Sequence, residues 1–280
     1  MQDRMKNYVF EKFKDKHRAE RVFLIANGPS LAKTDLNLLK NETTIAMNRV
    51  SLIYEKHPEW KPTYYLFSST NVKHPVWGPA WASSVEKSIS DPQTTSFIAR
   101  VFKDWIDPWD EYPAVNWFDA MSETKPPMTG NISESCFSTD VVDRIDKSGT
   151  SMNLALQTAY YMGFSEIIIV GSDLSFTADR GSTNDPNHFD SSYRADIAPE
   201  KVYKINNQMR NVHSLARRHF LERNSDTKMY NASIDSVLDV YPMIDYEKYV
   251  TENDVIFLDD KLANAKKYWD CPPQFGGQDE

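Results

Sequence analysis

Four short runs of apolar and β-favouring residues are each followed directly by small polar residues. They span residues 22–26, 43–47, 62–67 and 166–170. The last run is continuously apolar, which suits a central parallel strand buried on both faces. Because parallel strands need crossover connections, the pattern predicts an α/β fold in which polar loops follow the carboxyl ends of the strands.

The polar residues behind the first three runs are candidate ligand contacts, because open α/β sheets bind ligands outside the carboxyl ends of their strands. Gly28 lets the backbone approach a ligand closely, and Ser30 can cap a helix whose N-terminus attracts phosphate. The NGPS segment at residues 27–30 is neither a Walker loop nor a GxGxxG fingerprint, and an ordinary turn is the alternative interpretation. The candidates are Asn27, Gly28, Pro29, Ser30, Asn48, Ser68 and Asn71.

Residues 147–176 combine a predicted helix with the predicted central strand. Small residues precede a helical pattern that ends at Gly163, and the apolar run 166–170 follows. Asp173 comes shortly after that run. Its carboxylate can accept hydrogen bonds from ribose hydroxyls or hold a metal through water, and a turn or helix-cap role is the alternative.

A polar segment at residues 177–199 is the predicted lid, because uninterrupted loops of about twenty residues inside a compact domain are usually lids or binding loops. His188 lies near Asp190 in this segment, and a neighbouring carboxylate raises the basicity of a histidine that accepts a proton. Tyr193 and Arg194 can hold phosphate oxygens. For His188, a solvated loop histidine is the alternative.

Residues 74–147 form a predicted insertion that is rich in aromatic residues and proline. Strands are expected within it at 95–101 and 114–118. The rings either form an acceptor platform, because rings stack on sugars and bases, or pack as a satellite core beneath long loops. The tryptophans concerned are Trp77, Trp81, Trp105, Trp109 and Trp117.

The remaining segments are predicted to frame this domain. Residues 1–20 form an amphipathic helix that docks on the domain, with a membrane surface as the alternative, through a face of Met5, Tyr8, Val9, Lys12 and Phe13. A helix at 202–220 carries His213 on its solvated face, and a last strand follows at 228–232. Residues 251–280 form a C-terminal extension.

The composition excludes several classes of protein. Forty acidic against 32 basic residues give a net charge of −8, which argues against non-specific binding to nucleic-acid phosphates. Cys136 and Cys271 are too few and too far apart for a zinc cluster or a disulfide framework. With no apolar run of about 18 residues and no signal-peptide core, the expected location is cytoplasmic, with the inner membrane face as a peripheral alternative.

Five ordered motifs together resemble a family of bacterial proteins often labelled 6-hydroxymethylpterin diphosphokinase-like. Its relatives include motility-associated flagellin glycosyltransferases and, more distantly, bacterial lipooligosaccharide sialyltransferases. The resemblance covers about residues 21–245 and is weakest between 74 and 147. The motifs are LIANGPSL, IAMNR, GTSMNLALQTAYYMGFSEIIIVGSDLSF, NHFDSSY and MYNAS.

The resemblance implies roles for individual residues. Asn27 and Asn48 would hold the nucleotide, and Ser151 or Thr150 would contact the donor. The segment Gly171 to Asp173 matches the GxD that closes the central strand. The residues after the third strand, Ser68 to Asn71, would contact nucleotide or sugar, and His188 would be the general base.

This chain departs from the sialyltransferases at one point. Those enzymes carry tyrosines just past GxD that stabilise the leaving phosphate, whereas this chain has Ser175 there and no tyrosine before Tyr193. Either Tyr193, Arg180 or Arg194 serves instead, or the donor is not CMP-sialic acid.

We therefore expect an α/β enzyme with a Rossmann-like parallel sheet, helices on both faces and the GT-A-like sialyltransferase type of fold. Residues 21–250 would be the nucleotide-sugar-binding catalytic domain. The enzyme would transfer an acidic sugar from a CMP-linked donor to a hydroxyl of a glycan, a protein or another acceptor. Besides the nucleotide-sugar donor no cofactor is expected, with Mg²⁺ as the alternative, and a homo-oligomer remains open.

Two other functions stay open at this point. One is Mg²⁺-dependent pyrophosphoryl transfer from ATP to a pterin alcohol, since that chemistry needs a cation between phosphates. Its metal ligands would be Asp173, Asp179, Asp185 and Asp190. The other is a non-catalytic nucleotide-binding module that acts as an assembly partner.

Overall fold

Seven parallel strands form one sheet in the part of the chain that the structure describes. This structure is a computed structural model, and it describes residues 6–105, 115–121, 132–177, 185–193 and 202–258. The strands are β1 (Arg21–Ile25), β2 (Thr44–Met47), β3 (Tyr64–Phe67), β4 (Thr95–Ala99), β5 (Val115–Phe118), β6 (Glu166–Val170) and β7 (Lys228–Asn231). The α-helices in the same residues are α1 (Gly78–Ile89), α2 (Ser151–Met162), α3 (Val202–Arg223) and α4 (Tyr246–Glu252).

The order of the strands is β5-β4-β3-β2-β1-β6-β7, and every neighbouring pair is parallel. The chain adds strands outward from β1 to β5 and then crosses back, so that β6 pairs with the other side of β1. The order therefore reverses between β1 and β6, and open α/β sheets bind ligands at such a switch point. The predicted α/β fold with a Rossmann-like parallel sheet is confirmed.

The central strands are covered on both faces. Residues 22–25 are fully buried, and successive side chains of a strand point to opposite faces. On β1, the ring of Phe23 packs near Tyr249 of α4, with ring centroids 6.2 Å apart. Helix α2 packs against β1, β2 and β3. A sheet that is buried in this way requires the continuous apolar runs that the sequence carries.

The segment from α2 to β6 follows the sequence pattern closely. Strand β6 has the bounds of the predicted run, and α2 ends at Gly163. The backbone there has a φ of 90°, a left-handed conformation that glycine adopts at little cost.

Among the described residues, none of the helices has both the length and the apolar character that a membrane-spanning helix requires.

The predicted helix after β1 is replaced by two short 3-10 helices, Pro29–Lys33 and Leu36–Leu39. Asp35 caps the second by accepting a hydrogen bond from the amide of Asn37, whereas Ser30 lies inside the first and caps nothing. The expected phosphate-binding helix N-terminus at Ser30 is therefore wrong. A single 3-10 turn lacks the aligned peptide dipoles of a longer helix.

The N-terminal segment docks on the sheet through only part of the predicted face, since Phe13 and Val9 of that face pack against the core together with Phe10. A 3-10 helix at Tyr8–Phe13 buries Phe10 and Phe13, while Tyr8 is 63% exposed. Phe10 stacks on Phe97 of β4, with ring centroids 4.6 Å apart. The predicted docking is confirmed, but Tyr8 does not take part in it, because the short 3-10 turn presents other residues to the sheet.

The region predicted as an insertion contributes the strands β4 and β5 to the sheet, as well as the helix α1. Trp81 of α1 is buried, and Trp105 is 47% exposed. Trp109 lies outside the described residues. The described tryptophans of this region therefore differ in environment, and Trp81 lines the cleft described below.

Replacing Phe10 tests the docking of the N-terminal segment. Phe10→Ala is expected to lower the free energy of unfolding by about 3–5 kcal/mol, because a fully buried ring between Phe97 and Phe118 is lost. The exposed Tyr8 supplies the control, and Tyr8→Ala is expected to change that free energy by less than about 0.5 kcal/mol. Urea denaturation measures both. Similar small losses for the two variants would contradict the docked arrangement.

Candidate functional site

A cleft of about 410 Å³ lies at the carboxyl ends of the central strands. The loops after β1, β2, β3 and β6 line it, together with the N-terminus of α2, part of α3 and the segment 185–193. It thus occupies the switch point between β1 and β6. The sequence-predicted residues that line it are Asn27, Gly28, Pro29, Asn48, Asn71, Thr150, Ser151, Gly171, Asp173, Ser175, His188 and Tyr193.

Two buried oxygens in this cleft have no hydrogen-bond partner among the described residues: Oδ1 of Asn27 and Oδ1 of Asp173. The other polar atoms of these side chains are engaged. Nδ2 of Asn27 donates to the carbonyl of Met47 at 3.1 Å, and Oδ2 of Asp173 accepts from the amide of Ser30 at 2.8 Å. Unpaired buried acceptors are costly, and a ligand that offers hydroxyl or amine donors would satisfy them.

Gly28 is required by the packing of two protein loops. A Cβ atom at this position would lie 2.5 Å from Oδ2 of Asp173 and 2.7 Å from the carbonyl oxygen of Gly171. The amide of Gly28 donates to that same carbonyl at 2.8 Å. The glycine therefore allows the loop after β1 to contact the loop after β6, which is a different reason from the close ligand approach predicted for it.

Asn48, Ser151 and Tyr193 meet at the wall formed by β2 and α2. The hydroxyl of Ser151 donates to Oδ1 of Asn48 at 3.2 Å, and Asn48 itself has a φ of 55°. The carbonyl of Asn48 accepts a hydrogen bond from Tyr65 at 2.5 Å. Burial raises the pKa of Tyr193, whose side chain is fully buried and stays protonated. Asn48 and Ser151, which the sequence predicted as residues of one site, are thus in direct contact.

Helix α2 begins at the cleft. Its N-cap residue, Thr150, accepts a hydrogen bond from the amide of Met152 at 3.2 Å, and Gly149, Thr150, Ser151 and Met152 all line the cleft. The positive end of a twelve-residue helix therefore faces the ligand space. The helix end that faces the cleft is therefore the N-terminus of α2, and not the turn at Ser30 that the sequence suggested.

His188 pairs with Asp185, three residues before it, and not with the expected Asp190. Nδ1 of His188 lies 2.9 Å from Oδ2 of Asp185. Asp190 instead accepts from the amide and the hydroxyl of Ser192, at 2.8 and 2.6 Å, and does not line the cleft. The reason is local geometry, because Asp190 closes its own turn with Ser192. Because an ionised carboxylate only accepts hydrogen bonds, the pairing assigns the proton to Nδ1 of His188 and leaves Nε2 as the acceptor nitrogen.

The segment that carries His188 is fixed to the sheet by hydrogen bonds. The amide of Phe189 donates to the carbonyl of Asn27 at 3.1 Å. The guanidinium of Arg49 donates to the carbonyls of Ser192 and Tyr193 at 2.6 Å each. The ring of Tyr193 then stacks on His188, with centroids 3.9 Å apart. These contacts hold the imidazole over the cleft.

Sequence reasoning missed several residues of the site. Arg49 is one of them, and Lys147 and Asn187 line the cleft without having been predicted. His213, predicted on a solvated face, is buried and lines the cleft, and burial lowers its pKa to about 3. Lys147 directly precedes the small residues that lead into α2, and this position in the sequence could have marked it as a candidate site residue. The burial of His213 depends on Tyr241, whose hydroxyl lies 3.1 Å from Nδ1 of that histidine.

Several predicted residues do not contribute a described side chain to the lining of the cleft. The amide of Ser30 donates to Asp173, and Ser68 contributes a carbonyl that accepts from Nζ of Lys147. Asp190 lies in its own turn, and Arg194 lies outside the described residues. Arg180 and Asp179 lie outside them as well. Within the described ranges, no group of three or more His, Cys, Asp or Glu residues is arranged to hold a metal ion.

The chain was compared with known proteins. No family model and no curated protein sequence matches it. Among solved structures it is similar to the sialyltransferase CstII from Campylobacter jejuni in complex with cytidine-5'-monophosphate, with 15% identity and a TM-score of 0.37 over 79% of this chain and 83% of that chain. A CST-II structure with trisaccharide acceptor and CMP gives 15% identity and a TM-score of 0.37 over 78% and 83%. At these values the likeness identifies neither a family nor an activity.

The buried carboxylate of Asp173 predicts a pH-dependent cost in stability. Burial raises the pKa of Asp173 above its ordinary value of 3.8, so the folded protein holds this proton more tightly than the unfolded chain does. The folded state therefore loses stability as the pH rises from 3.8, the ordinary pKa, through the higher pKa that Asp173 has in the folded protein. Asp173→Asn keeps an oxygen for the amide of Ser30 and removes this cost.

The variant is expected to be more stable than the wild type at pH 7, and its advantage is expected to shrink at about pH 3.5, near the reference pKa of aspartate. Urea denaturation of both proteins at the two pH values measures the difference. A difference that is the same at both pH values would contradict the assigned protonation behaviour.

Proposed function

We propose that the protein is a glycosyltransferase that moves a sugar from a nucleotide donor to an acceptor hydroxyl. The observation that carries the proposal is the His188–Asp185 pair, which lies over a cleft at the switch point of a parallel sheet. Such a pair is a base suited to deprotonating a hydroxyl, and such a cleft suits a nucleotide. A cleft of about 410 Å³ is within the size range of ligand pockets.

The nucleotide part of the donor would bind between β1 and β6. Its ribose hydroxyls or base amine would donate to the unpaired oxygens of Asn27 and Asp173. The choice of a sugar-linked nucleotide, and of CMP with an acidic sugar in particular, rests on the resemblance of the sequence motifs to sialyltransferases. The sialyltransferase-like GT-A type of fold and the acceptor classes, glycan, protein or another hydroxyl compound, are part of the same proposal.

The reaction would be a single displacement. The acceptor oxygen attacks the anomeric carbon while Nε2 of His188 takes its proton, and the bond from that carbon to the phosphate oxygen breaks. The bonding electrons leave with the nucleotide phosphate, and the configuration of the anomeric carbon is inverted. Asp185 holds the imidazole in the required tautomer and stabilises the imidazolium that forms.

Nucleotide binding tests the donor assignment. In a thermal-shift series with CMP, CDP, UDP, GDP and ATP, each with and without Mg²⁺, CMP is expected to raise the melting temperature most. At about 100 times its dissociation constant a ligand adds about 2.7 kcal/mol to the free energy of unfolding. Stabilisation by ATP and Mg²⁺ alone would contradict the proposal and favour pyrophosphoryl transfer. Stabilisation by CMP with no transfer to any acceptor would favour the non-catalytic module.

Replacing the base tests the catalytic assignment. His188→Gln is expected to lower the rate of sugar transfer by about a hundredfold or more while CMP binding persists, because the proton acceptor is lost and the nucleotide contacts remain. His57 offers a matched control, since its Nδ1 lies 3.2 Å from Oδ1 of Asp35 in a pair that does not line the cleft. His57→Gln is expected to leave the rate within about twofold, because the pair lies away from the cleft where the transfer would occur. Equal rates for both variants would remove His188 from the mechanism.

A further inference from the structure

Lys147 is the one lysine or arginine among the described residues that line the cleft. It lies in the loop that leads into α2, and its Nζ donates to the carbonyl of Ser68 at the carboxyl end of β3. Within the described part of the chain, no carboxylate forms an ion pair with it. The catalytic proposal above assigns no role to this ammonium group.

Arg21 and Arg210 are paired with carboxylates, whereas Arg49 and Arg223, which do not line the cleft, donate to backbone carbonyls as Lys147 does. Arg21 is bonded to Glu42 at 2.6 Å, and Arg210 is bonded to Asp239 at 2.6 and 2.8 Å. A buried cation without an anion is unfavourable, because desolvation is not offset by an opposite charge. Burial accordingly lowers the pKa of Lys147 to about 8. A ligand that brings a negative charge into the cleft would remove this imbalance.

The N-terminus of α2 provides a second source of positive potential beside Lys147. Gly149 has a φ of 78°, and it lines the cleft together with Thr150 and Ser151, the N-cap and first residue of the helix. The nearest acidic residue in sequence, Asp146, directs its Oδ1 to the amide and hydroxyl of Ser148, at 2.7 and 2.6 Å. The ammonium group and the helix end therefore both contribute positive potential to the same cleft.

We propose that Lys147 and the N-terminus of α2 bind the phosphate of the nucleotide donor and stabilise its charge when it leaves the sugar. This inference rests on the proposed function. When the bond from the anomeric carbon to the phosphate oxygen breaks, the electron pair adds one negative charge to that phosphate. Lys147 stays protonated and donates a hydrogen bond to it, and such charge-assisted bonds strengthen as the charge develops.

Comparing CMP with cytidine isolates the phosphate contribution without requiring activity. Calorimetric dissociation constants would be measured for the wild type, Lys147→Met and Lys147→Arg. In the Met variant, CMP is expected to bind about tenfold to a hundredfold more weakly while cytidine binds unchanged, given the typical strength of hydrogen bonds to charged groups. The Arg variant is expected to keep most of the preference for CMP. Because Met removes an unpaired buried charge, the variant is expected to fold.

Lys16 supplies the matched control for the loss of one positive charge. Its Nζ donates to the hydroxyl of Tyr64, the first residue of β3, at the opposite end of that strand from Ser68. Lys16→Met changes the net charge by the same amount as Lys147→Met. It is expected to leave the dissociation constants of CMP and cytidine unchanged.

The pH dependence of CMP binding separates a charge role from a structural one. In the wild type the affinity for CMP is expected to fall above about pH 8, because the free form of Lys147 then loses its proton. Lys147→Arg is expected to show no such fall. The other titratable groups that face the cleft are Asp173 on the β6 loop, His188 with Asp185 on segment 185–193, Tyr193, and His213 on α3.

The outcomes distinguish this inference from the proposed function. If Lys147→Met weakens CMP and cytidine equally, or weakens neither, the phosphate role is wrong while the donor assignment stands. If the wild type binds inorganic pyrophosphate through Lys147 but neither CMP nor cytidine, the anion site stands and the assigned donor is wrong. If the wild type binds none of the three, both proposals are overturned.

Discussion

The parallel pairing of β1 with β6 is the interaction on which the rest of the site depends. Ile25 lies opposite Val170 at the carboxyl ends of the two strands, so their following loops begin side by side. The amide of Gly28 then bonds to the carbonyl of Gly171, and the amide of Ser30 bonds to the carboxylate of Asp173. A side chain at Gly28 would collide with Asp173 and Gly171, so this contact between the two loops requires glycine there.

The site combines several arrangements that cost stability. Buried acceptors on Asn27 and Asp173 lack partners in the described residues, the ammonium of Lys147 lacks a counter-ion there, and Asn48 has a positive φ. Each of these is unfavourable for a free protein, and such features concentrate where a ligand later completes the structure. The fully buried strands on either side provide the stability that offsets them.

Local sequence patterns predicted the elements whose signals are local. The run 166–170 and the helix that ends at Gly163 were recognisable because apolar continuity and a terminal glycine are properties of consecutive residues. Asn27, Asn48, Ser151 and Asp173 followed from the same patterns and from the resemblance of the motifs. The parallel sheet then brings together residues that are more than a hundred positions apart, as the bond from Ser151 to Asn48 shows.

The parts that sequence did not predict depend either on local turn geometry or on packing between distant segments. Asp190 is closer to His188 in sequence, yet the turn geometry directs Asp185 to the imidazole. His213 is buried through contacts with Tyr241, and a helical pattern alone placed it on a solvated face. Ser30 was expected to cap a helix. The chain instead forms a short 3-10 helix there, and a second one, capped by Asp35, follows it.

The most direct test of the central claim is a crystal structure of the protein with CMP. The account predicts a nucleotide in the crevice between β1 and β6, with hydrogen bonds to Oδ1 of Asn27 and Oδ1 of Asp173 and with its phosphate at the N-terminus of α2. A structure in which CMP binds elsewhere, while ordered water alone occupies this crevice, would contradict it.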